Sequence, residues 1–393
     1  MKKAGNTVFE YTCYMLMLMI GLQLAGYQYS LIYITKEFTL TNTQMGLLTS
    51  MQFVPTLLMP LLFGGLLDKY NKRVISAICA VAYYLGSVCV LLSESIVMLA
   101  IGIFVLASGG AIAPSALPTL LTELDPQNSN RYANMAEVFY SLGNVISPIM
   151  MAWAIGQGMH WRGLYALVMI CSLMIGVAML LMRPQAKGSV IRIEEEEGGR
   201  FRLDLVALML VAFGMLYNFI EPGFMTFAST YFTEVIYDPV GASLSISVMG
   251  LTMVVSRMVA SRFKGVKEKL MFTGLMGAIA AGLLMAFVPI KGVSVVWCAI
   301  FGILAGPCWP MMMSVAIDCF PRNAGRVTSL IMAGSGIGGI LVTPLMGMVS
   351  DAIGIAPAYL VSVAAAVLAA VAISIVYRYR KKRGDFTVQG ENK

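Results

Sequence analysis

Apolar residues run in long blocks along this chain, parted by short polar loops. About twelve blocks approach the roughly 20 residues that a helix needs to cross a bilayer. They fall near 8–34, 43–67, 74–92, 95–122, 133–157, 163–182, 204–233, 242–262, 269–289, 292–317, 326–350 and 356–377. Little chain remains between them, so the reading is an all-α integral membrane protein. The first block is too long for a cleavable leader and has no small-residue cleavage site.

Within this background the polar positions carry the information. In the fifth block, "NMAEVFYSLGNVISP", Asn134, Glu137, Ser141, Asn144 and Pro148 step by three, four, three and four. That spacing puts them on one helix face. A helix-centre acid costs roughly 2.5–3.5 kcal/mol on insertion scales, so an intramembrane Glu137 is read as functional. Gln23, Tyr27 and Gln28 stand in the first block, and Trp309 in the tenth could stack on a ring. Tyr217, Asn218 and Glu221 in the seventh precede Pro222-Gly223, where a helix can break and release backbone groups. These eleven residues (Gln23, Tyr27, Gln28, Asn134, Glu137, Ser141, Asn144, Tyr217, Asn218, Glu221 and Trp309) are the substrate-binding candidates. Glu137 and Glu221 are the candidates for ion or proton coupling. Glu137 serves either as an anion attracting a cation or as a protonated donor to a neutral hydroxylated solute.

The composition agrees: 393 residues, 59% hydrophobic, 12% charged. Soluble domains are about 25% charged. A net charge of +7 suggests nucleic acid, but its distribution argues against that partner. The cations fall in alternate loops: Lys2 and Lys3; Lys69, Lys72 and Arg73; Arg131; 183–202; 257–269; Arg322 and Arg326; and Arg378 onward. The opposite loops hold Lys36, Arg162 and Lys291. This positive-inside pattern predicts a multi-pass protein of the cytoplasmic (plasma) membrane with both termini cytoplasmic. The basic tail from Arg378 to Arg383 fits anionic lipid. Seven scattered cysteines and one histidine, His160, show no disulfide framework or metal spacing. No metal or cofactor is expected. An enzyme is not expected either, since neither a nucleophile–base pair nor a metal set is present.

One internal repeat is legible. Glu123-x-x-Pro126 with Arg131 recurs as Asp318-x-x-Pro321 with Arg326, 195 residues later. Gly143-x4-Pro148 recurs as Gly339-x4-Pro344, 196 residues later. The chain therefore reads as two pseudo-symmetric six-helix halves: 1–182, a charged cytoplasmic linker at 183–203, 204–379, and a cytoplasmic tail at 380–393.

"GGLLDKYNKR", from Gly64 to Arg73, joins the second and third blocks. It resembles the Gly-x-Leu-Ala-Asp-Arg/Lys-x-Gly-Arg/Lys-Arg/Lys signature of the major facilitator superfamily. Gly64, Leu66, Asp68, Lys69, Lys72 and Arg73 match; Leu67 and Asn71 depart. The resemblance implies the major facilitator fold and a solute site near the bilayer midplane. It also implies a monomer and a cytoplasmic gate, drawn here from Gly64, Asp68, Lys69, Lys72, Arg73, Glu123, Arg131, Asp318 and Arg326. In the second half, Ser261 stands where the signature's acid would be.

Three stretches, "FTLTNTQMGLLTS", "NMAEVF" and "YNFIEPGFMTFASTYF", resemble the fucose–galactose–proton symporter family. Tyr217, Glu221 and Tyr231 repeat its Tyr-x3-Glu-x9-Tyr spacing. The acids that members of that family associate with proton coupling fall at Gln28 and near Ala113, so coupling through those positions is not inherited. The expectation is a secondary active transporter of a small polar solute, such as a sugar, working by alternating access with an ion or proton. Two alternatives remain: an exporter of drugs or hydrophobic metabolites, and an organic anion or cation transporter.

Overall fold

The computed structural model describes residues 2–63, 71–124, 129–182, 204–263 and 265–383. Among them the regular structure is helical throughout. In order, the helices are α1 (Lys2–Glu37), α2 (Asn42–Ser50), α3 (Phe53–Phe63), α4 (Lys72–Leu91) and α5 (Ile96–Leu124). Then come α6 (Ser129–Gly156), α7 (Gly163–Leu181), α8 (Leu205–Thr226), α9 (Ala228–Glu234) and α10 (Pro239–Ala260). Last are α11 (Lys267–Phe287), α12 (Ser294–Ala305), α13 (Cys308–Cys319), α14 (Ala324–Ile353) and α15 (Ile355–Arg383). Eleven spans among the described residues are long and apolar enough to cross a membrane, with α8–α9 and α12–α13 each counted as one. The expected block at 43–67 is split instead into α2 and α3 at Met51-Gln52.

The chain forms two compact units, Met1–Leu40 with Met51–Glu194, and Thr41–Ser50 with Glu195–Lys393. In the first, α1 packs on α6 and α7, and α4 packs on α5 and α7. In a bilayer, lipid tails are as apolar as leucine, so small residues that let backbones meet drive helix association. At α1–α6 a Cβ on Gly21 would strike the Tyr140 carbonyl, and one on Gly143 the Leu18 carbonyl. Ser147 Oγ, one turn on, donates to the Leu22 carbonyl at 2.5 Å. Outer faces are apolar: Ile170, Leu173, Met174, Val177 and Leu181 line the exposed side of α7 at three- and four-residue steps. Such a stripe needs hydrocarbon as its solvent.

The second unit repeats the device. α8 packs on α14 and α15, and α11 packs on α12 and α15. A Cβ on Gly338 would strike the Met215 carbonyl. Gly338 therefore packs as Gly143 does, 195 residues on. It lies one residue before the Gly339 that motif matching selects, at the offset shared by Arg131 and Arg326. α2 lies against α14, with Gly46 facing the Thr343 carbonyl, and Thr343 Oγ1 donates to the Gly46 carbonyl at 2.8 Å. The Asp351 carboxylate takes the Asn42 and Thr43 backbone N–H groups, both at 2.9 Å, and Thr43 Oγ1 at 2.6 Å. One helix thus supplies the anionic cap of another.

Charged groups close the ends of each unit. Arg162 and the Trp161 indole N–H both bind Glu37, and Arg162 also donates to the Ser93 carbonyl at 2.8 Å. This ties the end of α1 to the α4–α5 and α6–α7 loops. In the second unit Arg380 donates to the buried Glu268 carboxylate at 2.6 Å, while Lys267 holds Asp318 at 2.7 Å and Ser314 at 2.6 Å. Three helices, α11, α13 and α15, meet there.

Three substitutions test this packing. Gly143→Leu should prevent α1 and α6 from closing and abolish folded protein on detergent gel filtration, whereas Ser147→Ala should cost about 1 kcal/mol. Glu268→Ala should destabilise the protein by at most about 3–5 kcal/mol, the penalty for breaking a buried ion pair, offset in part by Asp318 at 3.9 Å from Arg380, and read as a fall in the thermal unfolding midpoint.

Candidate functional site

Within the second unit, side chains from α8, α10 and α13 converge on a helix break. α12 ends at Ala305, with Gly306 as its C-cap, and Pro307 carries no backbone N–H. By the i→i−4 rule its absence leaves the Ile303 carbonyl without a helical donor, and Pro310 does the same to Gly306, whereas the Gly302 carbonyl already takes the Gly306 N–H at 3.2 Å. Ser256 Oγ reaches the Gly302 carbonyl at 3.1 Å, Tyr217 OH the Ala305 carbonyl at 3.1 Å, and Arg257 Nε the Gly306 carbonyl at 2.9 Å. A cation at a helix C-terminus also complements its dipole. Gly306 leaves no room for a Cβ: the Gly302 carbonyl, Ser256 Oγ and Met253 Cα all lie within 3.0 Å of that position.

The same guanidinium reaches Glu221, with Nη2 to Oε2 at 3.4 Å and both side chains partly enclosed. The Tyr217 ring lies 5.7 Å from the Trp309 ring at 33°, and 6.3 Å from the Phe213 ring at 12°. Tyr217 is buried, while Glu221 and Trp309 are half-buried. Asn218 Nδ2 turns back to the Gly214 carbonyl at 3.4 Å. The structure thus brings Tyr217, Glu221 and Trp309 together. Pro222, however, does not break its helix: α8 continues to Thr226 and the interruption comes at Phe227. The missing Pro222 N–H removes one bond, to the Asn218 carbonyl, and the rest of the turn persists.

In the first unit, Gln23, Tyr27 and Gln28 are buried at 5%, 0% and 4% exposure. They sit on α1, and Tyr27 and Gln23 are close to Tyr165 of α7. Asn144 is half-buried on α6, beside Gly21 of α1. Along α6 three faces separate. Ala136, Gly143 and Ser147 are buried; Val138, Leu142, Ile146, Ile149 and Trp153 form an exposed apolar stripe. Asn134 and Glu137 are exposed and Ser141 is half-exposed, on a polar face roughly 80–140° from the centre of the apolar one. Asn134, Glu137 and Ser141 therefore fall on neither the packed face nor the apolar one, whereas Asn144 and Pro148, further along the same stripe, turn toward the packed side.

The gate candidates are distributed. Gly64, Asp68 and Lys69 lie outside the described residues. Lys72 opens α4, and Glu123 lies in the last turn of α5. Arg73 donates to the Met182 carbonyl at 2.5 Å. Arg131 binds Glu10 at 3.0 Å, and Asp318 binds Lys267, so each is held inside its own unit. Arg326 is exposed on the first turn of α14.

Sequence reasoning missed Arg257. It reads as the first member of the basic run 257–269, yet it lies three residues before the end of the span at Ala260. Its place inside the last turn of an apolar span, rather than in the loop beyond it, was the available signal. Ser256, its neighbour at the break, gave none.

Tyr217→Phe should cost about 1 kcal/mol through loss of the hydroxyl, which serves the Ala305 carbonyl and also faces Glu221. Tyr217→Ala should cost roughly 3–5 kcal/mol more, because ring packing goes too. Thermal unfolding of the purified variants reads both.

The comparisons with known proteins agree with this fold. The description Major Facilitator Superfamily matches residues 12–301 and 237–392. A glucose transporter, GlcP, of Staphylococcus epidermidis is 23% identical over 174 residues, 44% of this chain and 38% of that protein. Facilitated glucose transporter member 12 of solute carrier family 2, from Macaca fascicularis, is 23% identical over 180 residues, 45% of this chain and 29% of that protein. The alignments thus span about a third of these relatives' length. Among solved structures, a bacterial homolog of the human lysosomal transporter Spinster superposes with a TM-score of 0.77 at 16% identity, covering 95% of this chain and 97% of that one. The nucleoside transporter NupG gives 0.74 at 16%, covering 94% and 99%. FucP in its outward conformation gives 0.63 at 20%, covering 94% and 98%. With nearly its whole length matched by the family and its helices arranged as in these solved members, the chain belongs to the major facilitator superfamily of membrane transporters.

Proposed function

We propose that this transporter carries a small, neutral, hydroxylated solute of the sugar or nucleoside class by alternating access, in the cytoplasmic membrane with both termini inside. The observation that carries the reading is the set of uncharged side chains in the first unit. Gln23, Gln28, Asn134, Ser141 and Asn144 offer paired donors and acceptors without a fixed charge. A site of that chemistry suits hydroxyl groups, which both give and take hydrogen bonds. Glu137, at the exposed end of the stripe, is the one ionisable member. The names of the relatives, which include glucose and nucleoside transporters, support the same class.

Glu221, with Arg257 beside it, is the preferred coupling group, because a carboxylate held by a cation in a break is poised to change partners. The Gly64–Arg73 loop is proposed as the cytoplasmic gate.

A thermal-shift panel of D-glucose, uridine, an organic acid and a quaternary amine tests the solute class. Ligand at about 100 times its dissociation constant stabilises by about 2.7 kcal/mol. The expected hits are among the neutral compounds. Glu137→Gln, which keeps a donor and an acceptor, should retain most of that stabilisation. Glu137→Ala should weaken binding roughly tenfold, about 1.4 kcal/mol. Equal losses in both variants, with the amine as the hit, would favour a cationic solute.

A further inference from the structure

We propose that the seam between α11 and α15 binds an anionic phospholipid. Its phosphodiester sits among Lys269, Arg378, Lys381 and Lys382, and its acyl chains lie along the apolar faces of the two helices. The site stands apart from the solute and from the gate.

The two helices pack on each other within the second unit, the first turn of α11 beside the last turns of α15. Along α11, Phe272, Met276, Leu283 and Phe287 are exposed. They lie within about 60° of the exposed Lys269, at about 100° per residue. Along α15, Val367, Leu368 and Val371 are exposed, and the same face ends in Arg378 and Lys382. Each helix thus carries an apolar stripe that finishes in cations at the shared end. From Ile355 to Tyr377, α15 climbs roughly 33 Å, enough to cross a hydrocarbon core of about 30 Å. The helix continues to Arg383, so its cations stand at the level of the headgroups.

The acids beside these cations are engaged. Glu268, one residue before Lys269, takes Arg380 at 2.6 Å. Asp318 takes Lys267 at 2.7 Å and lies 3.9 Å from Arg380. Lys269, Arg378, Lys381 and Lys382 form no ion pair among the described residues. Lys269 Nζ instead lies 5.9 Å from the centre of the Tyr377 ring, across the seam, and the Arg383 guanidinium 4.7 Å from that of Tyr379. Aromatic rings at this depth belong to the interfacial belt. The Arg380–Glu268 pair pins the charged end of α15 to α11, so cations from two helices form one cluster. A phosphodiester brings the complementary charge, and its oxygens accept from ammonium and guanidinium alike. Cations alone would take any anion. The apolar faces leading up to them select one that carries acyl chains.

The test uses the full chain in dodecylmaltoside. Its unfolding midpoint is followed against rising mole fractions of dioleoyl phosphatidylglycerol or dioleoyl phosphatidylcholine, and against inorganic phosphate. The midpoint should rise with phosphatidylglycerol and with neither of the others, since a ligand of the native state stabilises it. Lys269→Gln/Arg378→Gln/Lys381→Gln should lose the rise, its affinity falling roughly a hundredfold. Its midpoint in phosphatidylcholine should stay close to wild type, because these three cations hold no acid of the fold. Lys269→Arg/Arg378→Lys/Lys381→Arg, which keeps every charge, should keep the rise. So should Lys36→Gln/Lys291→Gln/Arg326→Gln, which removes the same charge elsewhere. Native mass spectrometry makes the comparison without unfolding: wild type should retain phosphatidylglycerol over phosphatidylcholine, and the first variant should not. An equal rise with phosphatidylcholine would mean a nonspecific apolar coat, and a rise with phosphate a free-anion site. An undiminished rise in the first variant, or its loss in the last, would mean a response to overall charge. Each of these results overturns the proposal.

Discussion

Hydrocarbon offers no hydrogen bonds, and the rest of this structure follows from that constraint. A spanning chain must satisfy its backbone internally, which helices do along their length and fail to do wherever they break. Each interruption therefore demands donors from neighbouring helices. At the end of α12 Tyr217 serves the Ala305 carbonyl and Arg257 the Gly306 carbonyl, while Ser256 adds a second donor to the Gly302 carbonyl, which already takes the Gly306 N–H. Polar side chains that look costly in an apolar chain are thus placed where backbone carbonyls would otherwise be stranded. Function can then use what structure already requires: a charged pair and an aromatic pair assembled around a discontinuity.

The same solvent explains the glycine contacts. With no hydrophobic gain from helix meeting helix, close approach supplies the attraction. Gly21 and Gly143 bring α1 onto α6, while Gly214, Gly334 and Gly338 bring α8 onto α14. The units use one packing solution twice, at an offset of 195 residues. Each pair holds candidate polar residues of its own unit: α1 and α6 in the first, α8 in the second.

Charges sort by the same logic. Those near helix ends are bound in local clusters: Glu37 with Arg162, Glu268 with Arg380, and Asp318 with Lys267. These join helices inside one unit and resemble staples. Glu221 with Arg257 differs, because it lies next to a helix break and beside aromatic rings, where exchanging one bond alters local backbone support.

The sequence by itself determined the membrane class, most of the apolar spans and the positions of the two acids; it read the block at 43–67 as one span, where the structure breaks it into α2 and α3. Each is a property of composition or spacing along one chain, legible without neighbours. It also located Tyr217, Glu221 and Trp309 as candidates, though not that Trp309 and Tyr217 would meet. Tertiary structure alone decided the rest. Arg257 resembles a loop cation until α8 and α12 are seen beside it. Pro222 resembles a break, yet the helix loses one bond there and continues to Phe227. Gly338 rather than Gly339 meets a carbonyl, because helix azimuth, fixed by packing, selects between adjacent glycines. Periodicity assigns residues to a face of their own helix; which carbonyl, ring or carboxylate waits opposite is set by the partner helix.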